Sequence, residues 1–138
     1  MTPRQLRAQQ PKILVVDDEP TFTRLLKINL EVSDRYIVAV ENDPYLALPV
    51  ALDFRPDLIL LDVMMPGLDG GDLVERFSNH DELSRIPIVF LTATVTKAEV
   101  DTRLGCFGGM RFLAKPIDLT ALQECLEEHF AGSPVTTG

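Results

Sequence analysis

Short apolar runs alternate with helical patterns from Lys12 to near the end of the chain. Five runs rich in branched aliphatic residues predict β-strands at 13–16, 36–40, 58–61, 86–91 and 110–113. Such runs, separated by helices, are typical of a parallel sheet covered on both faces. The first, third and fourth runs are almost wholly apolar, which predicts central strands, whereas the second alternates and is predicted to lie at an edge.

Apolar residues at helical spacing predict one helix after each strand. The first should begin at Pro20, a residue suited to a first helical turn, and end near Val32. The second should begin with Asp43 as cap and Pro44 as first residue, and Pro49 should kink or shorten it, because proline removes an internal hydrogen bond. The other three are predicted around Leu73, Val74 and Phe77, after the capping box from Thr96 to Glu99, and from Asp118 with Leu119, Leu122, Leu126 and Phe130 on one face.

Length and composition fit one ordinary globular domain. The chain has 138 residues, of which 46% are hydrophobic and 25% charged, and this is close to the commonest domain size. The domain is predicted to span residues 12–130. Residues 1–11 and 131–138 are rich in polar, Pro, Gly and Thr residues without periodicity, so we expect a flexible leader and a flexible tail or the start of a linker.

The net charge and the cysteine spacing indicate which partners and which cellular compartment to expect. With 21 acidic and 13 basic residues, the net charge is −8, which disfavours direct contact with nucleic acid or an anionic membrane. No apolar run approaches the length of a membrane span. Cys106 and Cys125 have neither a metal-binding nor a redox spacing, which indicates thiols in a reducing compartment. We expect a cytoplasmic protein.

Polar side chains follow four of the five predicted strands. In an open parallel sheet, ligands bind outside the carboxyl ends of the strands, so these positions are the candidates for chemistry. Each residue alone has an ordinary structural explanation as a cap, a turn residue or a solvated charge. Together they bring carboxylates and one ammonium to the same edge: Asp17, Asp18 and Glu19 after the first strand, Asp62 after the third, Thr92 and Ala93 after the fourth, and Lys115 after the fifth.

The charges of this set predict a cation. Three ionised aspartates and Lys115 leave a local charge of −2 (three negative, one positive), which is unfavourable without a counter-ion. Oxygen ligands without His or Cys select a hard divalent ion, and Mg²⁺ fits a site with few carboxylates. A carboxylate neutralised in this way can act as a nucleophile toward phosphorus. An aspartyl phosphate is therefore the natural hypothesis.

Four segments in this order carry a resemblance to a known family. They are ILVVDDEP at 13–20, PDLILLDVMMPGLDG at 56–70, IPIVFLTA at 86–93 and FLAKP at 112–116. The chain from about residue 12 to 130 resembles a receiver domain of two-component response regulators. The resemblance implies an α/β, flavodoxin-like, doubly wound fold with a five-stranded parallel sheet of order 2-1-3-4-5, flanked by five helices.

The resemblance also implies roles for the residues at the strand ends. Asp62 would accept a phosphoryl group from a phosphohistidine on a sensor histidine kinase or a histidine phosphotransfer protein. The implied Mg²⁺ ligands are Asp18, Asp62 and the backbone carbonyl of Met64, with Asp17 acting through water. The implied partners of the phosphoryl oxygens are Lys115, the Thr92 hydroxyl and the Ala93 backbone N–H.

A switch is implied as well. In the family, movement of the residue matching Thr92 opens space for an aromatic residue on the fifth strand, here Phe112. Phe112 lacks a hydroxyl, so any switch would depend on packing, and the residue is equally well explained as core. Glu19 is better explained as a cap of the first helix than as a site residue.

Two other classes of function stay open. One is a small Mg²⁺-dependent aspartyl-phosphate phosphatase, which is weakened because Met64 stands where those enzymes carry a second acid. The other is an interaction domain that works without phosphorylation. For the receiver reading, we expect phosphorylation to alter homodimerisation or the docking of an effector protein through the fourth helix, fifth strand and fifth helix.

Overall fold

The computed structural model describes residues 10–65, 67–68, 70–93 and 111–131. Its centre is a five-stranded sheet in the order β2-β1-β3-β4-β5, with every neighbouring pair parallel. The strands are β1 (Lys12–Val16), β2 (Ile37–Glu41), β3 (Leu58–Asp62), β4 (Ile88–Ala93) and β5 (Arg111–Lys115). The predicted order and the edge position of the second strand are confirmed.

Four α-helices are present in the described ranges: α1 (Pro20–Glu31), α2 (Ala47–Phe54), α3 (Gly70–Ser78) and α4 (Leu119–Ala131). The helix predicted after Thr96 lies outside the described residues, as do Cys106 and most of both predicted tails. None of the described helices is long and apolar enough to cross a membrane.

The second helix has the predicted cap, and its α-helical part is short. Asp43 Oδ1 accepts a hydrogen bond from the Tyr45 N–H (2.9 Å), and Pro44 opens a short 3₁₀ helix, Pro44–Leu46, that leads into α2. Pro49 is the third residue of α2. The first N–H groups of an α-helix have no partner inside the helix, so the missing proline N–H costs little there. Of the two effects predicted for Pro49, the structure shows the shortening: the α-helix begins at Ala47, three residues after Pro44.

Two apolar layers cover the faces of the sheet. Alternate residues of each strand point to opposite faces. One layer joins the strands to α2 and α3 and includes Leu14, Leu61, Leu73, Phe77 and Phe90. The other joins them to α1 and α4 and includes Ile13, Leu26, Leu60, Leu122 and Leu126. Each fully buried leucine contributes about 2 kcal/mol. Leu119 does not share the buried face of α4 as predicted: it is the first residue of that helix and is 37% exposed.

Strand register aligns the polar ends of the sheet. Asp62 on β3 is the register partner of Leu91, and the next two residues of β4, Thr92 and Ala93, pair with Ala114 and Lys115. The fifth strand extends to Lys115, two residues beyond its predicted end. The polar residues thus lie along one edge, which we call the carboxyl edge.

Candidate functional site at the carboxyl edge

Three aspartates converge at the centre of the carboxyl edge. Asp17 follows β1 directly and Asp62 is the last residue of β3, two strands that pair in parallel. One carboxylate oxygen of each of Asp17, Asp18 and Asp62 lies within 4.8 Å of the others. Asp17 and Asp62 are buried, with 0% and 4% exposure. Burying carboxylates this close together is unfavourable unless a cation balances them.

Asp62 is held from two sides. Its Oδ1 accepts a hydrogen bond from the Met64 N–H (3.2 Å), and its Oδ2 lies 3.7 Å from Lys115 Nζ. Burial and the negative charge of Asp17 raise the pKa of Asp62 to about 7, although Lys115 opposes the shift. The ionised form of Asp62 is thus poorly compensated by the protein alone.

Asp17 is the carboxylate most firmly held in place. Its Oδ1 accepts a hydrogen bond from the Glu19 N–H (3.0 Å), and its Oδ2 forms an ion pair with Lys115 Nζ. Burial raises the pKa of Asp17 despite this pairing. Burial alone would lower the pKa of Lys115, but the hydrogen bond and charge of Asp17 raise it. Lys115 therefore remains an ammonium at neutral pH.

Glu19 occupies the capping position of α1, as expected, but its side chain makes no capping hydrogen bond within the described chain. Instead, Glu19 Oε1 lies 3.6 Å from Lys115 Nζ, with the Glu19 side chain 66% exposed. The prediction that the Glu19 side chain caps α1 is therefore wrong: the carboxylate lies near the Lys115 ammonium instead. Solvent screening makes this contact weaker than that with Asp17.

Thr92 carries an unsatisfied buried hydroxyl. The residue is 6% exposed, and its Oγ1 has no hydrogen-bond partner among the described residues. Such a group is costly to leave unpaired and is rare in folded proteins. It is therefore available to a ligand at this edge. Ala93, the next residue, ends β4.

The donor set fits Mg²⁺. The three converging groups offer only carboxylate oxygens, and hard divalent ions prefer oxygen ligands. A charge of +2 would also relieve the repulsion between Asp17 and Asp62. The Met64 carbonyl stays a predicted ligand; the structure gives Met64 a half-exposed side chain and an N–H bonded to Asp62.

Phe112 packs against the core. Its ring stacks on the buried Phe90 ring with centroids 5.3 Å apart and an interplanar angle of 21°. Phe112 itself is only partly buried. The core explanation of Phe112 thus has support, and a switch through this position would have to disturb the stack.

Sequence reasoning missed two polar residues behind Asp17. Asn42 Nδ2 donates to the Asp17 carbonyl (2.7 Å) and to Thr23 Oγ1 (2.9 Å). Thr23 is buried and its hydroxyl donates to the Pro20 carbonyl (3.1 Å). The sequence carries a signal for each. Asn42 follows β2, the one strand whose end the sequence analysis did not consider, and Thr23 is a polar residue at helical spacing from the apolar Leu26 and Leu30.

The fold and this arrangement agree with comparisons to known proteins. Residues 13–127 match the response regulator receiver domain family. The chain belongs to this family and is a receiver domain of the two-component type, a phosphoacceptor module of signal transduction.

Several relatives are similar over most of the domain. The chain is 33% identical to the DNA-binding dual master transcriptional regulator RpaA of Synechocystis over 79% of its length and 44% of the relative's. It is 39% identical to the response regulator PleD of Caulobacter vibrioides over 78% of its length and 23% of the relative's. It is 32% identical to protein PilH of Pseudomonas aeruginosa over 88% of its length and 98% of the relative's. The chain therefore spans less than half of two of these relatives and nearly all of the third.

Solved structures show the same fold. The Vibrio cholerae chemotaxis protein CheY4 superimposes with a TM-score of 0.78 at 28% identity, covering 86% of this chain and 98% of that one. The receiver domain of a signal transduction histidine kinase from Syntrophus aciditrophicus gives 0.77 at 31% identity, covering 90% and 92%.

Proposed function

We propose that Asp62 accepts a phosphoryl group from a phosphohistidine on a sensor histidine kinase or a histidine phosphotransfer protein, in a step that needs Mg²⁺. One observation carries the proposal: the carboxylates of Asp17, Asp18 and Asp62 meet within 4.8 Å, with Lys115 Nζ 3.7 Å from Asp62 Oδ2. This is a nucleophile surrounded by the groups that would hold a cation and an anionic phosphoryl group.

The proposed reaction transfers the phosphoryl group from a histidine nitrogen of the donor to Asp62. A carboxylate oxygen of Asp62 attacks phosphorus, the P–N bond of the phosphohistidine breaks, and its electron pair stays on the imidazole nitrogen. The product is an acyl phosphate on Asp62. Catalysis by the protein consists of positioning and charge compensation rather than further covalent steps.

Mg²⁺ would be held by Asp18, Asp62 and the Met64 carbonyl, with Asp17 acting through water. Bound there, the ion would supply the positive charge that the three carboxylates lack. Buried oxygens and the raised pKa of Asp62 support this assignment, because each indicates negative charge that the protein does not balance.

The phosphoryl oxygens would be bound by residues of the two neighbouring strands. Lys115 would turn toward the new oxygens from its ion pair with Asp17. The unpaired Thr92 hydroxyl and the Ala93 N–H would take the others. A buried hydroxyl without a partner is the group that gains most from a new acceptor.

Movement of Thr92 would carry the signal toward β5. Phe112 lies on β5 and stacks on Phe90 of β4, so a shift at the end of β4 would disturb that stack. We propose that the outcome is altered homodimerisation or binding of an effector protein, in the cytoplasm. The net charge of −8 favours protein partners over direct contact with nucleic acid.

The test is phosphorylation by a small donor. The protein is incubated with acetyl phosphate and Mg²⁺, and intact mass is measured. We expect a gain of one phosphoryl group that disappears in Asp62→Asn and with EDTA. Asp57→Asn, which changes an exposed aspartate at the opposite edge of the sheet, is the matched control and should behave as the wild type. No mass gain, or a gain retained by Asp62→Asn, would contradict the proposal.

Two further measurements separate the alternative functions. We propose that the domain catalyses only its own phosphorylation and dephosphorylation. Sustained turnover of a small phosphoester would instead indicate a phosphatase, which the side chain at Met64 argues against because it cannot act as a second acid. Partner binding that is indifferent to Asp62→Asn would indicate an interaction domain.

A further inference from the structure

An aromatic ring lies beside the lysine of the site. Lys115 Nζ is positioned over the Phe22 ring, 4.5 Å from its centroid. At this distance the negative face of the ring attracts an ammonium. Phe22 is on α1, partly buried against the apolar layer shared by α1 and α4.

Lys115 reaches across several strands to the aspartates. It ends the edge strand β5, whereas Asp62 ends β3, two strands away, and Asp17 follows β1, three strands away. Neighbouring strands are about 4.8 Å apart. The lysine side chain must therefore lie across the end of the sheet, and fixing so flexible a chain costs conformational entropy. Contacts that hold it in this position lower that cost at the moment of reaction.

The carboxylates around Lys115 have other roles or are screened by water. Asp17 and Asp62, its two buried partners, also belong to the cluster assigned to Mg²⁺. Glu19 is largely exposed, so water screens it. The ring of Phe22 attracts the ammonium but is not a Mg²⁺ ligand and adds no negative charge.

We propose that Phe22 is a positioning residue for Lys115: its ring face keeps the ammonium beside Asp62, so that it meets the incoming phosphoryl group. This inference rests on the proposed function of Asp62. Removing the ring should slow phosphoryl transfer at saturating donor without changing the concentration of donor that half-saturates the rate.

The chain offers a matched control. Lys12 Nζ lies over the Phe54 ring, 5.5 Å from its centroid, at the opposite edge of the sheet. Phe54 is also partly buried against an apolar layer. Phe54→Leu therefore removes a ring of similar burial and a similar lysine contact far from the site. Phe22→Leu and Phe54→Leu form the pair, and Phe22→Tyr restores an aromatic face.

The first measurement needs neither Mg²⁺ nor a phosphodonor. In the metal-free protein, ring currents should shift the Lys115 Hε resonances upfield in ¹H–¹³C spectra, with the signals assigned by their loss in Lys115→Arg. We expect the shift to disappear in Phe22→Leu and to persist in Phe22→Tyr and Phe54→Leu. An unshifted Lys115 signal in the wild type would overturn the proposal, whatever the outcome at Asp62.

The second measurement is the rate of phosphorylation by acetyl phosphate with Mg²⁺. We expect Phe22→Leu to lower the maximal rate about 3- to 10-fold, Phe22→Tyr to restore it to within about 2-fold, and Phe54→Leu to leave it unchanged. Equal losses in both leucine variants, or no recovery in Phe22→Tyr, would overturn the positioning role. If the wild type gains no phosphoryl group, the proposed function fails instead.

Discussion

Polar groups are paired at one end of the parallel strands and poorly compensated at the other. At the opposite end of the strands, which we call the amino edge, the Lys12 N–H donates to Asp57 Oδ2 (2.7 Å) and Lys12 Nζ donates to the Phe54 carbonyl (2.9 Å). The Asp57 N–H donates to the Lys12 carbonyl (2.7 Å). Asp57 is exposed. At the carboxyl edge, Asp17 and Asp62 are buried with excess negative charge, and the Thr92 hydroxyl has no partner in the described chain.

This difference separates stability from function within one sheet. The amino edge satisfies its polar groups and stabilises the fold. The carboxyl edge carries groups whose burial is unfavourable without compensating charge and hydrogen bonds, which is typical of sites where pKa values are shifted for chemistry. Changes that relieve the carboxyl edge should therefore stabilise the protein while removing its activity.

The largest expected effect is on the pH dependence of stability without metal. Because the pKa of Asp62 rises from 3.8 in the unfolded chain to about 7 in the fold, the native protein binds more protons than the unfolded one between these values. The free energy of unfolding in EDTA should then fall as pH rises through this window, by at most about 4 kcal/mol. Urea denaturation at pH 5 and pH 8 measures it. Stability that rises across this range would contradict the shift at Asp62.

The next effect is a contrast between isosteric changes at the two edges. At pH 8 in EDTA, Asp62→Asn should raise the free energy of unfolding by about 1–3 kcal/mol, because it removes a buried, poorly compensated charge. Asp57→Asn should lower it by less than about 1 kcal/mol, because the Lys12 N–H keeps an acceptor. Chemical denaturation of the two variants checks the contrast. Equal effects of the two substitutions would show that the buried charge of Asp62 does not destabilise the fold.

Mg²⁺ should stabilise the protein through the carboxyl edge. At tenfold excess over its dissociation constant, a ligand of the native state alone adds about 1.4 kcal/mol. We expect this gain in the wild type and in Asp57→Asn, and a much smaller one in Asp62→Asn. Thermal denaturation over a Mg²⁺ titration provides the measurement, with Ca²⁺ as a test of selectivity. A gain that Asp62→Asn retains in full would place the ion elsewhere.

The smallest effect is expected at a surface ion pair away from the carboxyl edge. Arg35 Nη1 lies 2.9 Å from Glu127 Oε1, and both side chains are about half exposed. Removing the pair by Glu127→Gln should lower the free energy of unfolding by less than about 1 kcal/mol, and this loss should be smaller still in high salt. Phosphorylation should not change. A larger loss would show that docking of α4 depends on this contact.

Much of the fold could be read from the sequence because its signals are local. Short apolar runs such as 58–61 are typical of strands buried on both faces, and Pro20 and Asp43 mark helix starts through their own backbone chemistry. Local signals did not decide where the α-helix after β2 begins. Pro49 predicted a kinked or shortened helix without deciding between the two, and in the structure a 3₁₀ helix precedes α2 and Pro49 lies in its first turn.

The sequence by itself determined which residue types stand at the site: acids, a threonine and a lysine at the ends of four strands, a set that predicts a cation and a phosphoryl group. Only the tertiary structure decided which side chains are in contact. Lys115 pairs with Asp17 and lies over Phe22, and Glu19 turns toward the lysine instead of capping α1. These contacts join residues on non-adjacent strands and a helix, so they depend on twist, register and side-chain reach, which no local pattern of residues encodes.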